Sequence, residues 1–145
     1  VVSPPKDSLE RQWQRRAELF RQPTLPDMTL SVVRAFQTVA GADVTGSDWF
    51  ANLAAMDAQI RDSAPDVVII GAGAYGLPLG LSARQRGAGV VVMGGTTQLL
   101  FGLMGNRWEI DPAYRNLMTP AWTRPGQEER PPGYQSLETA GGAYW

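Results

Sequence analysis

The sequence contains no cysteine and no histidine. The first absence excludes disulfides, a thiol nucleophile and thiolate metal sites. It fits a reducing compartment, and a cytoplasmic location is the expectation. The second excludes a Ser-His-Asp triad, imidazole general bases and histidine-ligated zinc. Any catalysis falls to carboxylates, arginine, lysine, tyrosine, hydroxyls or backbone dipoles, and any metal would be a hard cation on oxygen ligands. An excess of one charge is lacking too: 13 Lys and Arg stand against 14 Asp and Glu, a formal net charge of −1. No overall field draws the chain to nucleic acid or to an anionic membrane. No apolar run approaches the ~18 residues that read as a bilayer span, and no secretory signal pattern is visible.

What is present suits one soluble domain. The chain has 145 residues, 43% of them apolar, enough to bury a core without covalent staples. It begins "VVSPP", which reads as the end of a strand running into a turn, as though residues preceded it. Residues 6–21 show Leu9, Trp13, Ala17 and Phe20 at helical spacing, with Pro4 and Pro5 before them and Pro23 and Pro26 behind. Residues 29–39 fit two periods: valine and threonine content predicts a strand over roughly 31–38, while Met28, Val32, Ala35 and Val39 also fit a helix. Residues 47–62 read as a helix with Ser47 as N-cap, Asp48 in the first turn and Trp49, Leu53, Met56 and Ile60 inward.

Two β-branched runs follow, "VVII" (67–70) and "GVVV" (89–92), of the kind found in strands covered on both faces. Each runs into glycines and then a helical stretch, about 76–86 and 96–104. Helix and strand in alternation predict a parallel sheet with right-handed crossovers. From Thr119 on, four prolines forbid regular structure, while Trp122, Tyr134, Tyr144 and Trp145 are too apolar for a free tail.

The first glycine turn, "DVVIIGAGAYG" (66–76), matches the dinucleotide fingerprint in form through Gly71, Gly73 and Gly76. The fingerprint also needs a carboxylate about 20 residues on, to grip a ribose. Here the next strand ends Met93-Gly94-Gly95-Thr96, and no acidic residue lies between Asp66 and Glu109. The reading as a pocket for an NAD or FAD diphosphate thus loses its ribose hook, while an anion-receiving pocket keeps its support. The alternative is a tight turn with no ligand. The second turn repeats the pattern: Gly94 and Gly95 lead into Thr96, Thr97 and Gln98, which can donate to phosphate or sugar oxygens or simply cap a helix. Tyr75 can stack on a base or pack a helix start. Arg107 can clamp a diphosphate and Trp108 can stack on a ring, or Arg107 can pair with Glu109 around a buried indole.

The block "IIGAGAYGLPLGLSARQRGAGVVVMGGTTQLLFGLMGNRWE", with "VVSP", "FQTVAG" and the closing "GGAYW", resembles a family of bacterial proteins encoded among surface-polysaccharide genes. The strand–glycine–helix–strand–glycine part is similar, more distantly, to the GT-D type glycosyltransferase domain. The resemblance implies transfer of a sugar from a nucleotide sugar, aided by a metal-linked acidic motif after the second strand. In place of that Asp-x-Glu this chain reads Thr97-Gln98-Leu99; its nearest acidic pair is Glu109 and Asp111. That pair can hold Mg²⁺ or Mn²⁺ and act as the catalytic carboxylates, or stand as two solvated groups.

The expectation is therefore an α/β protein: a single three-layer, Rossmann-like domain with a mostly parallel sheet over 1–118, and an extended, proline- and aromatic-rich C-terminal arm over 119–145. The arm packs on the domain or joins copies into a homo-oligomer. The expected ligand is a nucleotide sugar or another phosphate-bearing small molecule, with glycosyl transfer in surface glycan assembly as the activity. A NAD- or FAD-dependent oxidoreductase and a non-catalytic interaction subunit are the alternatives.

Overall fold

Short β-branched runs separated by helices leave a chain little choice but a layered parallel sheet, and that is what forms. The computed structural model describes residues 1–37, 48–136 and 144–145. Strands β1 (Val2–Ser3), β2 (Val33–Arg34), β3 (Val67–Ile70) and β4 (Gly89–Val92) make one sheet in the order β2-β1-β3-β4. Every pairing is parallel, with Val2 opposite both Val33 and Ile70, and Val67–Ile70 in register with Gly89–Val92. The strand expected over 31–38 is reduced to two residues, and Ser47 and part of that expected strand lie outside the described residues.

Helix α1 (Lys6–Gln14) follows β1. It stops seven residues short of the expected end, because a 3₁₀ turn at Arg16–Glu18 breaks the period. Leu9 and Trp13 are buried as expected, but Leu19 takes the inward place and Ala17 is exposed. Helix α2 (Trp49–Ser63) is capped by Asp48, whose carboxylate accepts from the Ala51 amide at 2.7 Å. Its Met56 and Ile60 face the core. Helix α3 (Gly76–Gln85) follows β3. After β4 come three single-turn helices, α4 (Thr97–Leu100), α5 (Asn106–Glu109) and α6 (Pro112–Arg115).

Two apolar clusters sandwich the sheet. On one face α2 and α3 pack on Val2, Val33, Val68 and Ile70. On the other, Leu9 and Trp13 of α1 join Phe101 and Leu103 over Val1 and Val32. That second layer covers only the β1–β2 half. Val67 is 57% exposed and Val91 47%, so the expectation that both apolar strands are covered on both faces is wrong. A continuous apolar run shows that a strand tolerates burial; it does not show that a layer exists to bury it.

Helices α2 and α3 are pinned side by side by Arg86, which donates to both carboxylate oxygens of Asp57 at 2.8 and 3.1 Å. The Arg86 guanidinium holds the Asp57 carboxyl below its ordinary value, with a smaller contribution from Ser82. A depressed carboxyl pKa stabilises the fold above the unfolded value, and that contribution is lost as pH falls through the folded one. The Asp57→Asn variant should therefore lose about 1 kcal/mol near neutral pH, as expected of a half-buried bidentate pair. It should also show a flatter fall in stability on the acid side, read by urea unfolding at a series of pH values.

Residues 119–136 carry a single-residue bridge, Leu103 to Thr123, and 3₁₀ turns at Gln127–Glu129 and Tyr134–Ser136. They are nevertheless well anchored. The Trp122 indole N–H donates to the Leu19 carbonyl at 2.5 Å. The buried Gln12 amide donates to the Gly102 and Ala121 carbonyls, each at 3.0 Å.

Candidate functional site

In an open parallel sheet, ligands bind outside the carboxyl ends of the strands, where the strand order reverses. Here the reversal falls between β1 and β3. The turns that surround it start after β1, β3 and β4.

The turns after β3 and β4 share one backbone design. Ala72 precedes Gly73 at φ +52°, a 3₁₀ turn follows over Gly73–Tyr75, and α3 begins at Gly76. Met93, in the right-handed helical region, precedes Gly94 at φ +59°, a 3₁₀ turn follows over Gly94–Thr96, and α4 begins at Thr97. At Met93–Gly94 a right-handed residue precedes a left-handed one, the pairing that turns successive amides to one side of an anion-receiving concavity. Ala72, at φ −124° and ψ 28°, lies outside the helical region, so Gly73 and Gly94 share their left-handed φ and the 3₁₀ turn that follows. Gly71 serves otherwise: a Cβ there would lie 2.6 Å from the Gly94 carbonyl oxygen and 2.7 Å from Thr97 Oγ1. The two turns touch, and the Thr97 side chain, fully buried, fills the gap between them.

The other glycines separate by role. Gly76 brings α3 against β4, since its Cβ would meet Val92 at 3.0 Å; Gly80 does the same against Val90 at 3.1 Å. Above Gly73 there is open space, and Gly73 and Ala74 form an exposed tip. Gly95 is covered by the ring of Tyr144, and Gly105 lies under the Tyr144 backbone.

The aromatic and polar residues singled out in the sequence are mostly engaged. Tyr75 is buried, stacked on Trp49 at 5.2 Å and an interplanar angle of 10°, with its hydroxyl accepting from Asn52 at 3.4 Å. It packs a helix start and presents no face to a base. Thr96 donates to the Met93 carbonyl at 2.6 Å. Gln98 is buried. Among the described residues, Thr97 Oγ1, Gln98 Oε1 and the Trp108 indole nitrogen have no hydrogen-bond partner. Trp108 is buried between Tyr114 and Tyr144, which takes its ring out of reach of a sugar or base. Arg107 is exposed, lies over the Tyr144 ring and donates to its hydroxyl at 3.0 Å.

Glu109 pairs with Arg124, not with Arg107. Arg124 also donates to Asn106 at 2.8 Å and to the Trp145 carbonyl at 2.7 Å. Asp111 caps α6 by accepting from the Ala113 amide at 2.9 Å. Both acidic residues therefore have structural partners, and among the described residues no three acidic groups converge as a metal site would require.

The turn after β1 holds the group that sequence reasoning missed. Helix α1 opens behind Pro5, which supplies no side-chain cap. Two of its first amides find their acceptor 122 and 121 residues away. Glu129 Oε1 accepts from the Asp7 and Ser8 amides at 2.8 and 3.2 Å. Glu129 Oε2 accepts from the Ser8 hydroxyl, and from the Gly126 amide at 3.2 Å. Arg11 adds its charge at 3.9 Å, and the carboxylate is buried. The anion cradle beside the reversal point is real, and its occupant is the chain's own carboxylate. The only signal in the sequence was a helix that starts after two prolines without a capping side chain.

No protein-family model, curated protein or solved structure matches this chain.

Proposed function

We propose that this chain is a binding domain for a phosphate-bearing small molecule of the nucleotide-sugar class, serving surface glycan assembly. The observation that carries the reading is the pair of like-built glycine turns in contact at the carboxyl ends of β3 and β4. Their amides and the start of α3 favour negative charge. The cradle at α1 is filled by Glu129, so the phosphates belong over Gly73 and Ala74, where the backbone is open. Arg107, held over the Tyr144 ring that covers Gly95, adds positive charge beside the second turn. Glu109 and Asp111 hold structural partners, which favours binding over transfer as the function of this chain.

The test is a thermal-shift and titration series with UDP-, GDP- and CMP-sugars, NAD and FAD, each with and without Mn²⁺. A ligand at 100 times its Kd stabilises the fold by about 2.7 kcal/mol, a rise of several degrees. A nucleotide sugar should raise the melting temperature, and the Gly73→Val variant should abolish the rise. A response to NAD or FAD alone, or to none of the set, overturns the reading. A second reading, a non-catalytic interaction subunit, draws on the uncovered Val67, Val91 and Val92 side chains. It predicts self-association or a partner complex by light scattering.

A further inference from the structure

The two edges of the sheet are finished differently. At the β2 edge, Arg34 carries a charge and Lys6 donates to the Val32 carbonyl at 2.7 Å. Charged side chains at an edge discourage another strand from pairing there. The β4 edge has no such guard. Gly89–Val92 contains no charge and no proline, and its register with Val67–Ile70 runs without a bulge. Gly89 and Met93 donate to the Asp66 and Ile70 carbonyls at 2.8 and 2.9 Å. Alternate residues of a parallel strand turn their main-chain groups to opposite sides, so the N–H and C=O of Val90 and Val92 point outward. Among the described residues no strand lies beyond them.

This edge is apolar above and below. On the helix side Gly80 sits between Val90 and Val92: a Cβ there would lie 3.1 and 3.3 Å from their methyl groups. Helix α3 turns Leu79 and Ala83 into the core, and Ser82 and Arg86 toward Asp57 of α2. At 3.6 residues per turn this puts Leu77 and Leu81 on the opposite flank, above the edge. They are 76% and 62% exposed. Val92 is exposed beside them, and Val91 is exposed on the other face of the sheet.

We propose that the β4 edge is the contact between two copies of this chain, which pair antiparallel about a twofold axis at Val91 and join two four-stranded sheets into one. The edge is complementary to itself. Its outward groups lie symmetrically about Val91, so Val90 of each copy stands opposite Val92 of the other and all four main-chain hydrogen bonds are exchanged. The two Val91 residues form the close, non-hydrogen-bonded pair, with Cα atoms about 4.5 Å apart. Gly80 lies at that level, so Leu81 meets its equivalent near the axis and Leu77 packs beside it. Arg84 stands three residues past Leu81, so the axis carries the two arginines to opposite ends of the contact. Leu77, Leu81, Val91, Val92 and the strand's main chain expose on the order of 500 Å² in each copy; two copies bury about 1,000 Å², the size at which specific interfaces begin. A closed pair uses up both free edges, which stops further strand addition. The contact uses no residue of the glycine turns and stands whether or not those bind a phosphate; it gives the self-association of the second reading above a definite surface.

The experiment measures mass in solution by light scattering over a concentration series, for the native chain and for Leu81→Lys. The native chain should dimerise in the micromolar range. The lysine variant, which sets two ammonium groups near the axis, should raise the dissociation constant at least tenfold while the dilute monomer melts as before. Because the chain lacks cysteine, single-cysteine variants read the register. Val91→Cys places two thiols within disulfide reach across the axis. Under mild oxidation it should cross-link at least tenfold faster than Val67→Cys, which is equally open to solvent but one strand further in. A chain that stays monomeric at millimolar concentration overturns the proposal. So does a dimer that Leu81→Lys leaves intact, or that Val91→Cys links no faster than Val67→Cys: the copies then meet through another surface, and the second reading survives without this edge.

Discussion

The Glu129→Ala variant is expected to lose about 3 kcal/mol of stability, a large share of what a domain of this size has. The loss has a specific origin. One buried carboxylate accepts from the Asp7, Ser8 and Gly126 amides and from the Ser8 hydroxyl. Removing it leaves the first turn of α1 without an acceptor, and each stranded buried donor costs about 1–3 kcal/mol before any water enters. The Glu129→Gln variant keeps the volume and one oxygen, but turns an amide N–H toward groups that already donate; it should lose about half as much. Equilibrium urea unfolding reads both effects as a shift in midpoint at constant slope. A loss below about 1 kcal/mol for the alanine variant would mean that the carboxylate does not hold α1 to the C-terminal residues.

Gly71→Ala should be nearly as damaging, and more so than Gly73→Ala, although Gly73 has the unusual dihedral. At Gly71 the obstacle is space. The new methyl group would sit 2.6 Å from the Gly94 carbonyl oxygen and 2.8 Å from Thr97 Cβ, so backbone would have to move. Overpacking of this kind costs about 1–3 kcal/mol, and the upper end applies where the obstacle is main chain. At Gly73 the methyl group meets nothing within 4 Å, and only φ +52° counts against it, at about 1 kcal/mol. The same measurement ranks the pair. The reverse order would show that the two turns are not in contact as described. Only the Gly71 variant forces the turns apart, so it should also weaken any ligand that spans both.

Much of the architecture was readable from the residues. "VVII" and "GVVV", each followed by glycine and a helix, announced a parallel sheet, and the structure has one. The spacing of Met56 and Ile60 gave the inward side of α2. What the residues did not announce depends on groups far apart in the chain. Periodicity in residues 6–21 could not register the 3₁₀ turn that ends α1. Nor could the glycine pattern reveal that Gly71 faces a carbonyl, while Gly95 faces a tyrosine 49 residues on. Of the site, the turns were legible as turns. The partners of Tyr75, Trp108, Glu109 and Asp111 were not, because each is fixed by packing on another element.

The tie between Ser8 and Glu129 also bears on how the chain is made. A ribosome releases the amino-terminal helix more than a hundred residues before its acceptor is synthesised. Through that interval the first turn of the helix can bond only to water, and contacts this distant in sequence close slowly. The first turn of this helix thus reaches its final state only after residue 129 emerges, and a chain halted before that residue would leave the helix frayed at its start.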